Sequence, residues 1–129
     1  MELPHNVVGW FEIPVTDMDR AIKFYETVLG YELSRNQMGP LDMAWFPWKL
    51  GTEGSGGTLV CHPECYKPSP DGTVVYITAF SGDLANELAR IEPNGGKVLV
   101  PKTQISPDHG FMAVFLDTEG NKVALHSIK

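Results

Sequence analysis

The segment Phe11–Gly30, FEIPVTDMDRAIKFYETVLG, changes its hydrophobic period part-way along, and that change decides the fold. The apolar run from Val7 to Val15 reads as a strand. Thr16-Asp17-Met18-Asp19 then offers N-capping oxygens and places acids in a first helical turn, where the helix dipole favours them. From Ala21 to Leu29 the apolar residues Ala21, Phe24, Tyr25 and Val28 fall on one helix face. Gly30 supplies a C-terminal stop. Tyr31 to Arg35, Met43 to Trp48 and Thr58 to Cys61 read as three short strands, separated by Gly39-Pro40 and the stretch from Gly51 to Gly57.

The second half repeats this order. Thr73 to Phe80 is a β-rich run, and Ser81 and Asp83 can cap a helix whose apolar positions are Leu84, Leu88 and Ile91. Gly95-Gly96 closes that helix, and Lys97 to Val100, Phe111 to Leu116 and Lys122 to Ile128 read as three more strands. Asp117-Thr118-Glu119-Gly120-Asn121 joins the last two as a hairpin. Asp19 answers Asp83, Ala21 answers Ala85 and Phe24 answers Leu88, an offset near 64 residues. The expected organisation is a single α+β domain built from tandem βαβββ modules, 6–62 and 73–128, joined by the Pro-, Ser- and Gly-rich linker 63–72. Each module is too small to cover both faces of its sheet, so the two must pack together.

A chain of 129 residues, 43% of them hydrophobic, can bury a sizeable core without a disulfide or metal staple. Its formal charge of −6 speaks against nucleic acid or an anionic membrane as partner, since both select a basic face. No apolar run reaches membrane-spanning length, and Met1 to Asn6 lacks the features of a signal peptide, so a cytoplasmic location is expected. Cys61 and Cys65 are too few for a disulfide framework. Cys61-His62-Pro63-Glu64-Cys65 has no second cluster to complete a zinc site and reads as a loop with ordinary thiols.

Phe11-Glu12-Ile13-Pro14, Asp17, Ala21, Phe24-Tyr25 and Val28-Leu29-Gly30 resemble the N-terminal signature of the vicinal oxygen chelate superfamily. Gly56-Gly57, Asn94 to Val98 and Asp117 to Asn121 through Leu125 resemble its later landmarks. That superfamily includes glyoxalase I, bleomycin-resistance proteins and extradiol dioxygenases. The resemblance implies two cupped, incomplete barrels, a homodimer, and in most enzymes a divalent metal held by His, Glu or Gln from the first and last strands of the cups.

At the positions the resemblance assigns to metal ligands, this chain departs from the pattern. The first-strand position falls at Trp10, whose indole has no lone pair to give. The fifth-strand position falls near Val75 and the last-strand position at Ala124, neither with a heteroatom. The fourth, near Gly57 to Leu59, holds no strong ligand. No metal or other cofactor is therefore expected, since a hard divalent ion needs several O or N donors at once.

Strand alternation places Glu12 on the face of Trp10 and His126 on the face of Ala124, so Glu12 and His126 are candidate catalytic residues as a buried acid–imidazole pair. Trp10, Glu12, Trp45, Val75, Ala124 and His126 form the expected ligand pocket, with Phe46 and Trp48 on the opposite face of the strand from Trp45. His5 and His109 read as solvated loop residues. Phosphate-loop and nucleophile-elbow motifs are absent. The expected function is metal-free binding of a small organic molecule, the acidic balance favouring cations. The alternative is a lyase, isomerase or dioxygenase of the same superfamily, using Glu12 and His126 or a rebuilt metal site.

Overall fold

The computed structural model describes residues 2–129. The element order is β1 (Trp10–Pro14), α1 (Met18–Leu29), β2 (Ser34–Met38), β3 (Leu41–Trp45) and β4 (Gly56–Cys61), then β5 (Tyr76–Thr78), α2 (Leu84–Leu88), β6 (Lys97–Ser106), β7 (Gly110–Leu116) and β8 (Lys122–Ser127). A 3-10 turn, Glu92–Asn94, follows α2. Each βαβββ unit makes its own four-stranded sheet, in the orders β1-β4-β3-β2 and β5-β8-β7-β6. In both, the first strand lies parallel to the last and the remaining pairs are antiparallel. Neither sheet closes on itself, in keeping with the incomplete barrels that the resemblance implies.

Local sequence explains where α1 begins and ends. The Asp17 carboxylate accepts the Arg20 N–H at 3.1 Å, and Gly30, at φ 86°, donates its N–H to the Glu26 carbonyl. The buried face is Met18, Ala21, Phe24, Tyr25, Val28 and Leu29. It packs on both sheets at once: Tyr25 meets Phe46 at 5.9 Å between ring centres, and Phe24 meets Phe115 of β7 at 6.0 Å. The two modules thus share one core.

The second module is not a copy of the first. α2 ends at Leu88 and gives way to the turn containing Pro93, although Ile91 stays fully buried as its periodicity predicts. Glu87, also fully buried, accepts from the Ser81 N–H and hydroxyl at 3.0 and 2.7 Å. β5 is confined to Tyr76–Thr78, although Val75 O still accepts from Ala124 N. β6 runs past Val100 and through Pro101 to Ser106, with register shifts along β7. In the first module β2 begins at Ser34 rather than Tyr31, because Glu26 takes the Leu33 N–H as the chain leaves the helix. β3 stops at Trp45, so Trp48 lies in the following loop and is 56% exposed instead of facing the core with buried Phe46.

The β7–β8 turn locks the halves together. Buried Asp117 accepts the Tyr25 hydroxyl at 2.6 Å and the N–H groups of Glu119 and Asn121 at 2.8 and 2.9 Å. Asn121 Nδ2 donates to the Pro14 carbonyl at 2.7 Å. Glu119 reaches the start of α1, accepting from the Thr16 and Asp17 N–H groups, both at 2.9 Å, and from Arg20 Nε at 2.7 Å. Among the described residues, no helix is long and apolar enough to cross a membrane.

Burial acts to raise the Glu119 carboxyl, but the Arg20 hydrogen bond and the Asp17 and Thr16 N–H groups outweigh it and bring the group down to about 2, against 4.5 unperturbed. A depressed carboxyl contributes stability above its unfolded value that is lost as the folded one is approached from above. Stability is therefore expected to fall between pH 4.5 and about 2. Glu119→Gln should cost about 1–3 kcal/mol at neutral pH, allowing for solvent screening at the half-exposed Arg20, and should flatten that acid limb. Urea unfolding across this range checks both, and an unchanged acid limb in the variant would contradict the assignment.

Candidate functional site

A groove of about 900 Å³ lies between β1 and the segment that carries β5, each at the edge of its own sheet. Trp10, Phe11 and Glu12 form one wall and Thr73 to Thr78 the other, with Tyr31, Phe46 and the loop at Glu53 to Ser55 closing the end. That volume suits an organic molecule of drug size. Its walls are mostly apolar or aromatic, because edge residues that would normally pair in a sheet here face a gap.

The open face of the first sheet follows from register. Glu12 lies opposite Thr58, and Thr58 opposite Trp45, whereas Ile13, Leu59 and Ala44 belong to the core cluster. Trp10 and Trp45 pack edge to face at 5.4 Å and 74°. The Tyr66 hydroxyl, from the segment between the modules, donates to Glu12 Oε1 at 2.7 Å. That bond, together with weaker desolvation, holds the Tyr66 phenol above its usual range, so it stays a neutral donor.

On the second sheet Tyr76 lies opposite Ala124 and Thr78 opposite His126. His126 Nε2 donates to the His109 carbonyl at 2.7 Å, fixing that nitrogen as the protonated one. Glu12 and His126 therefore do not form the buried acid–imidazole pair expected from alternation. Glu12 is exposed, His126 half-buried, and each bonds a different partner. Of the expected pocket residues, Trp10, Glu12 and Val75 line the groove, while Trp45, Ala124 and His126 do not. Val75 borders it from the core side, and its neighbour Tyr76 shares the open face with Ala124.

The Cys61–Cys65 loop is a turn organised by its histidine: His62 Nδ1 accepts the Glu64 and Cys65 N–H groups at 3.0 and 3.1 Å, and both thiols are free. His109 is likewise tied into its own loop, through Ser106. Tyr31, Phe46, Glu53, Tyr66 and Tyr76 were not signalled as site residues by motif or spacing. Of these, all but Tyr76 come from segments between strands, whose placement depends on tertiary packing.

Comparison with known proteins matches residues 7–125 to the model of the Glyoxalase/Bleomycin resistance protein/Dioxygenase superfamily. The chain belongs to that superfamily. A "Glyoxylase-like domain-containing protein" from Didymella fabae is 27% identical over 94% of this chain and 93% of its own. A glyoxylase/bleomycin resistance protein/dioxygenase domain from Frankia sp. EAN1pec superposes with a TM-score of 0.71 at 15% identity, covering 96% of this chain and 98% of that one. An antibiotic binding protein from Streptomyces sp. CB03234 gives 0.63 at 22% identity, over 99% and 100%. The chain spans 45% of a maize glyoxalase I variant, with a TM-score of 0.65 and 20% identity over 92% of this chain.

Many enzymes of the superfamily hold a divalent ion, which requires several O or N donors at one point. Trp10 and Ala124 have none to offer, and the buried Thr58 hydroxyl, directed at the Ala44 and Leu59 carbonyls at 3.0 and 2.6 Å, brings only a single uncharged oxygen. Tyr76 has Ala124, not a carboxylate or imidazole, beside it in register. Among the described residues no group of three or more His, Cys, Asp or Glu could hold a metal ion. These donors do not fit one.

Trp45 Nε1 is buried and has no acceptor among the described residues. Trp45→Phe removes that unpaired donor while keeping a ring against Trp10, and should change stability by less than about 1 kcal/mol; Trp45→Ala should cost about 3. Urea unfolding of the two variants checks this, and equal losses would show that the N–H has a partner after all.

Proposed function

We propose that this protein binds a small organic molecule in the groove between β1 and β5, without a resident divalent ion. The observation that carries the proposal is the make-up of the groove: a space of about 900 Å³ walled by Trp10, Phe11, Tyr31, Phe46 and Tyr76, with Glu12 at its edge. An apolar cleft with few polar groups is the usual form of a binding site, where apolar burial supplies affinity and the polar group sets orientation. The Streptomyces antibiotic binding protein of the same fold is a precedent in keeping with this reading. Trp10 stands where the superfamily pattern would put a ligand to metal, and it contributes an apolar wall there instead.

A homodimer is part of the proposal. Tyr76 on the open face of the second sheet is 53% exposed, and Leu99 and Val100 on its edge strand are 41% and 36% exposed. A second copy would cover such surface. Sedimentation equilibrium is expected to give twice the chain mass.

Metal titration decides between binding and chelate chemistry. Ni, Zn, Mn and Fe(II), offered in turn to tag-free protein in a calorimeter, should show no stoichiometric tight site. One ion bound per chain, and lost in Glu12→Ala or His126→Ala, would overturn the metal-free reading and favour a lyase or dioxygenase of the superfamily with migrated ligands.

A further inference from the structure

The charges around the groove are one-sided. Among the residues that line it, Glu12 and Glu53 are charged, and there is no Lys, Arg or His. Outside the groove, five acids form ion pairs among the described residues: Glu119 with Arg20, Asp19 and Asp42 with Arg35, Glu87 with Arg90, and Asp83 with Lys102. Neither Glu12 nor Glu53 forms an ion pair among the described residues. Lys67 and Lys122 border an adjoining recess of about 170 Å³ that shares Glu12, Thr73 and Val75 with the groove, and neither lysine forms an ion pair with Glu12. The bond Glu12 does make is from neutral Tyr66 to Oε1, which leaves Oε2 without a donor among the described residues.

Two aromatic side chains with open surface flank this carboxylate in the groove. Trp10, two residues away on the same strand face, is 40% exposed, and Tyr76 on the opposite wall is 53% exposed. Aromatic faces and a carboxylate attract the same kind of group, a weakly hydrated organic cation. An anion would meet two carboxylates and no countercharge, with the net charge of −6 adding to the repulsion.

We infer that the groove selects a flat organic monocation, such as a protonated arylalkylamine, with the Glu12 carboxylate as its charge contact and Trp10 and Tyr76 as its stacking walls. This rests on the groove being the ligand site. Tyr66 occupies one Glu12 oxygen in the free protein and holds the carboxylate at the groove edge, so it acts as a positioning residue. The cation takes the other oxygen.

Three probes of one shape and different charge test this by isothermal titration calorimetry: naphthylmethylammonium, naphthylmethanol and naphthoate. The cation is expected to bind about tenfold more tightly than the alcohol, and naphthoate most weakly. Glu12→Gln, an exposed and nearly isosteric change, should collapse the preference so that cation and alcohol bind equally. Trp10→Ala should weaken all the probes that bind, which ties them to this groove. Equal affinity for cation and alcohol in the unaltered protein, or a preference that survives Glu12→Gln, overturns the cation inference and leaves the groove as a binding site. Binding untouched by Trp10→Ala, or no binding of any probe, overturns the groove reading as well.

Discussion

The β7–β8 turn holds the two modules in register, and the groove depends on that hold. Asp117 takes the Tyr25 hydroxyl from the middle of α1, Asn121 takes the last carbonyl of β1, and Glu119 caps the start of α1 while pairing with Arg20. Buried polar groups are costly unless every partner is present, so these contacts form together or not at all. They pin the C-terminal end of β1 against the second module while its other edge stays unpaired. The separation between β1 and β5, and with it the width of the groove, follows from this turn rather than from hydrogen bonds between the two strands.

The shared core explains why a duplicated unit could diverge. α1 presents Phe24 to one sheet and Tyr25 to the other, so a single long helix serves both halves. α2 is released from that duty, and a five-residue helix followed by a 3-10 turn suffices to bury Leu84 and Ile91. The open faces were also freed to differ. The first carries Trp10, Glu12 and Trp45, and the second Tyr76, Ala124 and His126. That asymmetry gives the groove its aromatic walls and the two carboxylates, Glu12 and Glu53, that line it.

Much of the fold was legible because period and punctuation agree locally. The capping acids at Asp17 and Asp83, the stop at Gly30 and the Asp117 to Asn121 hairpin all fall where the sequence places them. Boundaries failed where tertiary contacts override local signals. The strand expected over Lys97 to Val100 runs on through Pro101 to Ser106, because β6 lies at a sheet edge, where a missing N–H costs no ladder bond. Of the expected pocket residues, Trp10 and Glu12, which alternation puts on one face of β1, line the groove, and Val75 lines it from the opposite wall. In the second half, sequence could not say whether Val75 or Tyr76 shares a face with Ala124, because both neighbours are β-formers and only the register with β8 decides. Tyr66 and Glu53 lie in segments between strands, and no spacing rule brings them to the groove.

An amide-resolved NMR titration with naphthylmethylammonium tests the central claim most directly, since it locates the ligand without assuming an activity. The account predicts saturable shifts concentrated at Trp10 to Glu12 and Val74 to Thr78, with those around His62 and His109 unmoved. Shifts centred on Ala124, His126 and Met112, with β1 silent, would contradict it and move the site to the open face of the second sheet.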